Sequence, residues 1–141
     1  MKKRRWLFAF LVLCTGMLLG CRQAQPEQTV PKTRVVTQIR VSYNYGKTQL
    51  ERRYTTNPKM EAMLLYLRLL KEKGRAQIDP ERLDGARYTI TVDYSDGKQN
   101  IYYQRGDGYL SRNSHPWQRI DPKQGRWLRP LLENTPSDEM Q

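Results

Sequence analysis

Apolar positions change spacing repeatedly along this chain, and each change predicts a structural element. From Arg34 the period is two: Val35, Thr37, Ile39, Val41 and Tyr43 share one side, and Arg34, Val36, Gln38, Arg40 and Ser42 the other. That is a strand with one buried face. Asn44-Tyr45-Gly46-Lys47 has turn chemistry, and Leu50, Arg52 and Tyr54 return in alternation, completing a hairpin. Asn57-Pro58 then opens a helix, with Asn57 expected as the cap and Pro58 in the first turn. Met60, Met63, Leu64, Leu67 and Leu70 follow helical spacing, Ala62, Leu65, Tyr66 and Leu69 widen the apolar arc, and Gly74 is the expected stop.

Period two resumes at Arg87. Tyr88, Ile90, Val92 and Tyr94 alternate with Arg87, Thr89, Thr91 and Asp93, and Ser95-Asp96-Gly97-Lys98 is a hairpin turn leading into a strand over 99–105. Gly106-Asp107-Gly108 is a second turn, and 109–112 a short third strand. Residues 114–119 read as a loop, and Asp121-Pro122-Lys123-Gln124 as a helix start with reciprocal capping between Asp121 and Gln124. Trp127, Leu128, Leu131 and Leu132 supply its apolar stripe, with Gly125 and Pro130 expected to shorten or kink it. The fold class is therefore α+β: an antiparallel two-stranded hairpin plus a three-stranded meander, packed on one main helix, with a short C-terminal helix (order ββαβββα). Residues 34–133 form this single domain, and 134–141 a disordered tail. Ile78-Asp79-Pro80 and Ile120-Asp121-Pro122 echo each other; Asp-Pro used twice as a helix opening explains the echo without a duplicated unit.

The first 33 residues follow another logic. Lys2, Lys3, Arg4 and Arg5 precede an apolar run, Trp6 to Leu19, that falls short of the roughly 20 residues needed to span a bilayer. The run ends in Leu18-Leu19-Gly20-Cys21. This resembles the lipobox of bacterial lipoproteins: an aliphatic residue, a small or aliphatic one, a small one, then cysteine. The resemblance implies a diacylglyceryl group on the Cys21 thiol, cleavage by signal peptidase II after Gly20, and an anchor of two or three acyl chains. Residues 1–20 would be the signal peptide, and 21–33 the lipidated cysteine and a polar, proline-containing tether reaching roughly 35 Å. The expected location is the outer face of the cytoplasmic membrane, or the outer membrane in a Gram-negative host. The chain is similar to the small lipoproteins of Gram-positive, clostridia-like bacteria, a likeness that assigns no activity.

Charge and cysteine change meaning once such a signal is removed. The 141-residue chain carries 25 basic and 14 acidic residues, net +11; losing the four basic residues of the signal leaves +7. An exported, tethered domain does not meet chromosomal DNA or ribosomal RNA, so nucleic acid is not an expected partner. The expected partners are the membrane, through the lipid, and an envelope protein or anionic wall polymer. Cys14 leaves with the signal and Cys21 carries lipid, so no disulfide is expected, and no cofactor beyond the covalent lipid.

Candidate chemistry in the domain is sparse. His115 is the single histidine. As a general base for Ser111 or Ser114, or a metal ligand with Asp107 or Asp121, it would make an envelope hydrolase; as a polar loop residue beside Trp117 it has no catalytic role, and that reading is preferred, with no metal site and no catalytic residue assigned. The other carboxylates lie at turns and helix openings, where they accept backbone hydrogen bonds. Arginines on the solvent side of the strands, Arg34, Arg40, Arg53 and Arg87, with Tyr102, outline a basic, aromatic face suited to an acidic partner. A third class, an inhibitory or regulatory module covering a partner, would require a free sheet edge or an apolar patch on the broad side of the Met60–Leu70 helix.

Overall fold

The computed structural model describes residues 34–138. The expected signal, lipobox, lipidated Cys21 and tether lie outside the described residues, as do residues 139–141. The described chain is α+β, with strands β1 (Val36–Tyr45), β2 (Thr48–Tyr54), β3 (Glu72–Arg75), β4 (Arg87–Tyr94), β5 (Gln99–Arg105), β6 (Tyr109–Arg112) and β7 (Gln118–Ile120). Helix α1 spans Asn57–Leu69, α2 Pro122–Gly125 and α3 Leu128–Asn134, with a 3₁₀ turn at Pro80–Arg82.

The strand grouping differs from the expected one. A single antiparallel sheet of seven strands runs β2-β1-β4-β5-β6-β7-β3, so hairpin and meander are joined through β1 and β4. Cross-strand pairing explains the join, since Ile39 sits opposite Val92, Val41 opposite Ile90 and Tyr43 opposite Tyr88. Their buried faces are continuous only in that register. Two strands were unforeseen. Residues 72–75, expected as the helix end with Gly74 as its cap, leave the helix after Leu69 and pair as β3 with β7. Helix α1 thus carries the chain from the β2 edge to the opposite edge, where residues 118–120, of which 118 and 119 were expected as loop, need a partner for their backbone groups. The Arg119 guanidinium on the Lys73 carbonyl (3.0 Å) and Ala76 N on the Trp117 carbonyl (2.8 Å) hold the pairing.

One face of the sheet carries the core. Ile39, Val41, Tyr43, Tyr54, Tyr88, Ile90, Val92, Tyr102, Leu110 and Ile120 pack against Met60, Met63 and Tyr66 of α1 and Leu128 and Leu132 of α3. Each fully buried aliphatic side chain contributes about 1.5–3 kcal/mol. The β1 alternation holds from Ile39 to Tyr43, but a bulge between Val36 and Gln38 reverses the phase, so Val36 packs on the core and Val35 is exposed.

The helix ends also depart from expectation. Thr56, not Asn57, is the α1 N-cap, and its own side chain makes no capping bond. Asp121 caps α2 through Lys123 N, as Asp79 does the 3₁₀ turn through Glu81 N, but Gln124 turns away from Asp121 and accepts from Lys71 N at 3.0 Å. The C-terminal helix breaks at Arg126-Trp127, not at Pro130, which lies in the first turn of α3 where its missing N–H costs nothing. Residues 135–138 are not a frayed tail. The Tyr54 hydroxyl donates to the Thr135 carbonyl (2.8 Å), Arg53 N to Ser137 Oγ (3.1 Å) and Asp138 N to the Arg53 carbonyl (2.9 Å), so this segment lines the β2 edge.

A buried polar node ties these parts together. Gln104, fully buried on β5, donates from Nε2 to the carbonyls of Gly106 (2.9 Å) and Gly125 (3.0 Å), and its Oε1 accepts the Tyr66 hydroxyl. Burial pushes the Tyr66 phenol well above its usual range, against the opposing pull of the Gln104 bond, so it stays a neutral donor. Gly125 permits the approach: a Cβ there would fall 1.9 Å from the Asp107 carbonyl oxygen. Gly125→Ala is expected to destabilise the domain by about 3 kcal/mol, through a forced shift of α2 off the 106–108 turn. Urea unfolding should show a lower midpoint at unchanged slope.

Candidate functional site

The two faces of the sheet have different chemistry, and the helices cover only one. On the other, strict alternation places Gln38, Arg40 and Ser42 of β1 beside Glu51 and Arg53 of β2 and Arg87, Thr89, Thr91 and Asp93 of β4. The far part of this face, over β5 to β7, is covered by the connection from β3 to β4. There Pro80 is buried, and Glu81 pairs with Arg105 at 2.7 Å while the Arg105 guanidinium lies 5.5 Å from the centre of the Trp117 ring. The near part stays open as a groove of about 580 Å³ lined by Arg40, Ser42, Glu51, Arg53, Thr89 and Thr91, with Ser137 and Asp138 at its rim.

Two of the expected binding residues, Arg40 and Arg53, line this groove, and a third, Arg87, lies on the same face outside its lining. Arg40, Arg53 and Arg87 share the open face on adjacent strands, with Arg40 directly opposite Arg53. Arg34 stands apart, just before β1, bonded to Asp96 at 2.8 Å with its guanidinium 5.0 Å from the centre of the Tyr94 ring. Tyr102 belongs to the core: it is 7% exposed, lies opposite Ile90, and its hydroxyl accepts from Arg112. Tyr103 takes the outward place, opposite Thr89 and Ser111. The adjacent tyrosines alone do not reveal this choice; the pairing of β5 with β4 decides it.

The face is also less basic than its arginines imply. Asp93 receives Arg40 through two bonds, at 3.2 and 3.3 Å, together with the Gln38 and Gln99 amides. One arginine is thereby neutralised within the sheet. At the rim, Asp138 accepts from the backbone N–H groups of Thr55 (2.6 Å) and Thr56 (2.8 Å) and pairs with Lys59 at 2.7 Å. It thereby satisfies the backbone donors of the two residues that lead into α1, though not the first-turn N–H groups that a capping side chain would take. The Lys59 ammonium, followed by those two N–H groups, holds the Asp138 carboxyl well below the usual carboxylate range.

The histidine loop is arranged unlike a catalytic dyad. Ser111 is buried and its hydroxyl donates to the His115 main-chain carbonyl at 2.6 Å, not to the ring. His115 is exposed. Asp121 is engaged by Lys123 N and Lys73, and Asp107 meets Gly125 through its backbone. Among the described residues no group of three or more His, Cys, Asp or Glu side chains is placed to hold a metal ion, and no helix is long and apolar enough to cross a membrane.

The helical face carries a second surface. Ala62, Leu65 and Leu69 of α1, with Trp127 and Leu131, line a groove of about 310 Å³ whose polar lining includes Gln124. Trp127 is 66% exposed, Leu65 55% and Leu69 52%. Trp127 was expected in the buried stripe with Leu128 and Leu132. The break at Arg126-Trp127 turns it to the flank instead, while Leu128 and Leu132 enter the core. The apolar patch on the broad side of α1 is thus present. No protein-family model matches this chain, and no curated protein or solved structure is significantly similar to it.

The Asp138 latch sets a pH dependence. Its pKa is depressed on folding, so its contribution to stability is complete above the unfolded carboxylate value of about 4 and is lost as pH falls below it toward the folded value. Acid titration of thermal stability should show this loss, and Asp138→Asn should remove that part of the profile.

Proposed function

We propose that this chain is an exported, lipid-anchored, non-catalytic envelope protein whose domain binds an envelope protein or an anionic wall polymer through the open half of its sheet. The observation that carries the reading is Leu18-Leu19-Gly20-Cys21, placed behind a short apolar run and four consecutive positive charges. Cys21 would carry the lipid, and 22–33 would hold the domain within roughly 35 Å of the bilayer.

The open groove supports the binding half of the proposal. It offers hydroxyls from Ser42, Thr89 and Thr91 beside Arg53 and next to Arg87, a mixture suited to phosphate or carboxylate groups on an extended polymer or an acidic protein surface. Long, regular strands present these groups at fixed spacing, which lowers the ordering cost of binding. The bonding of Ser111 to the His115 carbonyl gives the hydrolase alternative no support.

Two measurements test the proposal. Cys21→Ser should abolish the lipid-dependent mass increase and release the protein from the membrane fraction or leave it as uncleaved precursor; unchanged mass and fractionation would refute the anchor. For the groove, charge reversal by Arg53→Glu with Arg87→Glu should cut retention on anionic wall polymer or on the crosslinked envelope partner at least about tenfold, the scale of two lost charge-assisted contacts. Retention that survives reversal would move the binding surface elsewhere.

A further inference from the structure

The apolar groove beside α1 is continuous with a depression near the start of the described chain. Val35, two residues beyond the last tether position, is exposed and lines a depression together with Pro58, Glu61, Leu64, Leu65 and Arg68 of the α1 segment. Leu65 belongs both to this depression and to the Leu69–Trp127 groove, so an apolar strip continues from Val35 across α1 to α3. Arg68, Lys71 and Lys123 are exposed along the strip; among the described residues Arg68 and Lys71 have no carboxylate partner, while Lys123 lies beside the Asp121 carboxylate, which accepts its backbone N–H. Lys71 and Lys123 flank the bond from Lys71 N to Gln124 Oε1 that closes one end of the groove.

We propose that this strip is a membrane-contact surface, seating Leu65, Leu69 and Trp127 in the interfacial layer of a bilayer that carries anionic lipid. The inference rests on the anchoring proposed above and says how the anchored domain is oriented. Tryptophan and leucine with Arg68 and Lys71 beside them suit that interface: the indole is amphipathic, the aliphatic groups bury among acyl chains, and the cations meet negative headgroups. Because the described chain begins at Arg34, beside Val35 and the strip, an anchor attached there would leave that side within reach of the bilayer. The polar groove on the other face of the sheet is then turned to partners in the envelope.

The test uses full-length protein with Trp6→Phe and Trp117→Phe, leaving Trp127 as the sole indole, reconstituted into phosphatidylcholine vesicles with brominated acyl chains, with and without phosphatidylglycerol. Intact mass of the same preparation reports lipidation. Expected are a blue shift and bromine quenching of Trp127 that require phosphatidylglycerol, weaken in high salt, and are lost in Leu65→Ser with Leu69→Ser while the circular dichroism spectrum stays unchanged. Lipidated protein whose Trp127 remains unquenched overturns this inference and leaves the anchor standing; quenching in protein that proves unlipidated supports the surface and overturns the anchor. Equal quenching without phosphatidylglycerol removes the role of the cations and overturns the proposal as stated. A blue shift that needs no lipid and accompanies a dimer mass assigns the strip to a second copy and also overturns it.

Discussion

The hydrogen bonds of the Gln104 side chain are the constraint on which the rest of the arrangement depends. A buried amide must place both its donors and its acceptor or cost about 1–3 kcal/mol for each group left unmade. Gln104 meets that demand by taking the Tyr66 hydroxyl from α1, the Gly106 carbonyl from the turn after β5 and the Gly125 carbonyl from α2. Two segments distant in sequence, α1 and α2, and the adjoining turn are thereby fixed to one strand. Apolar packing alone would allow the helices to slide over the sheet, whereas these directional bonds hold them at one position.

That position accounts for the two surfaces. With α2 held against the Asp107 backbone through Gly125, the chain bends at Arg126-Trp127, sending Leu128 and Leu132 into the core and leaving Trp127 on the flank beside Leu65 and Leu69. The crossing of α1 takes β3 to the far edge, and the return connection to β4 then covers one half of the opposite face. The other half remains open. Asp93 partly neutralises it, Asp138 closes its rim, and along the helical strip Arg68 and Lys71 keep no carboxylate partner among the described residues. A polar face and an apolar face on opposite sides of one sheet are what the anchored domain proposed above would present to the envelope and to the membrane.

Much of this was legible in residue order. Period-two spacing located β1, β2, β4, β5 and β6, the glycine turns separated them, and the apolar arc of α1 was wide enough to foresee an exposed patch. Three of the five residues expected on the basic face do share it. What was missed depends on partners far along the chain. Residues 72–75 have no apolar alternation, and become a strand only because β7 needs an edge. Tyr102 and Tyr103 are equivalent until β4 sets their register. Asp138 lies in a polar stretch with the composition of a tail, and nothing local shows that its carboxylate will hold the backbone N–H groups of Thr55 and Thr56 more than 80 residues earlier.

The sequence by itself determined the α+β class, most strand and helix positions and the lipobox-like motif at Cys21, because spacing, turn chemistry and short motifs act over a few neighbouring residues. Only the tertiary structure decided that the strands form one sheet, which tyrosine enters the core, where the C-terminal segment docks and that Trp127 stays outside. Those outcomes follow from which distant backbone and side-chain groups meet, and hydrogen bonds and core volume must be met for the whole fold at once.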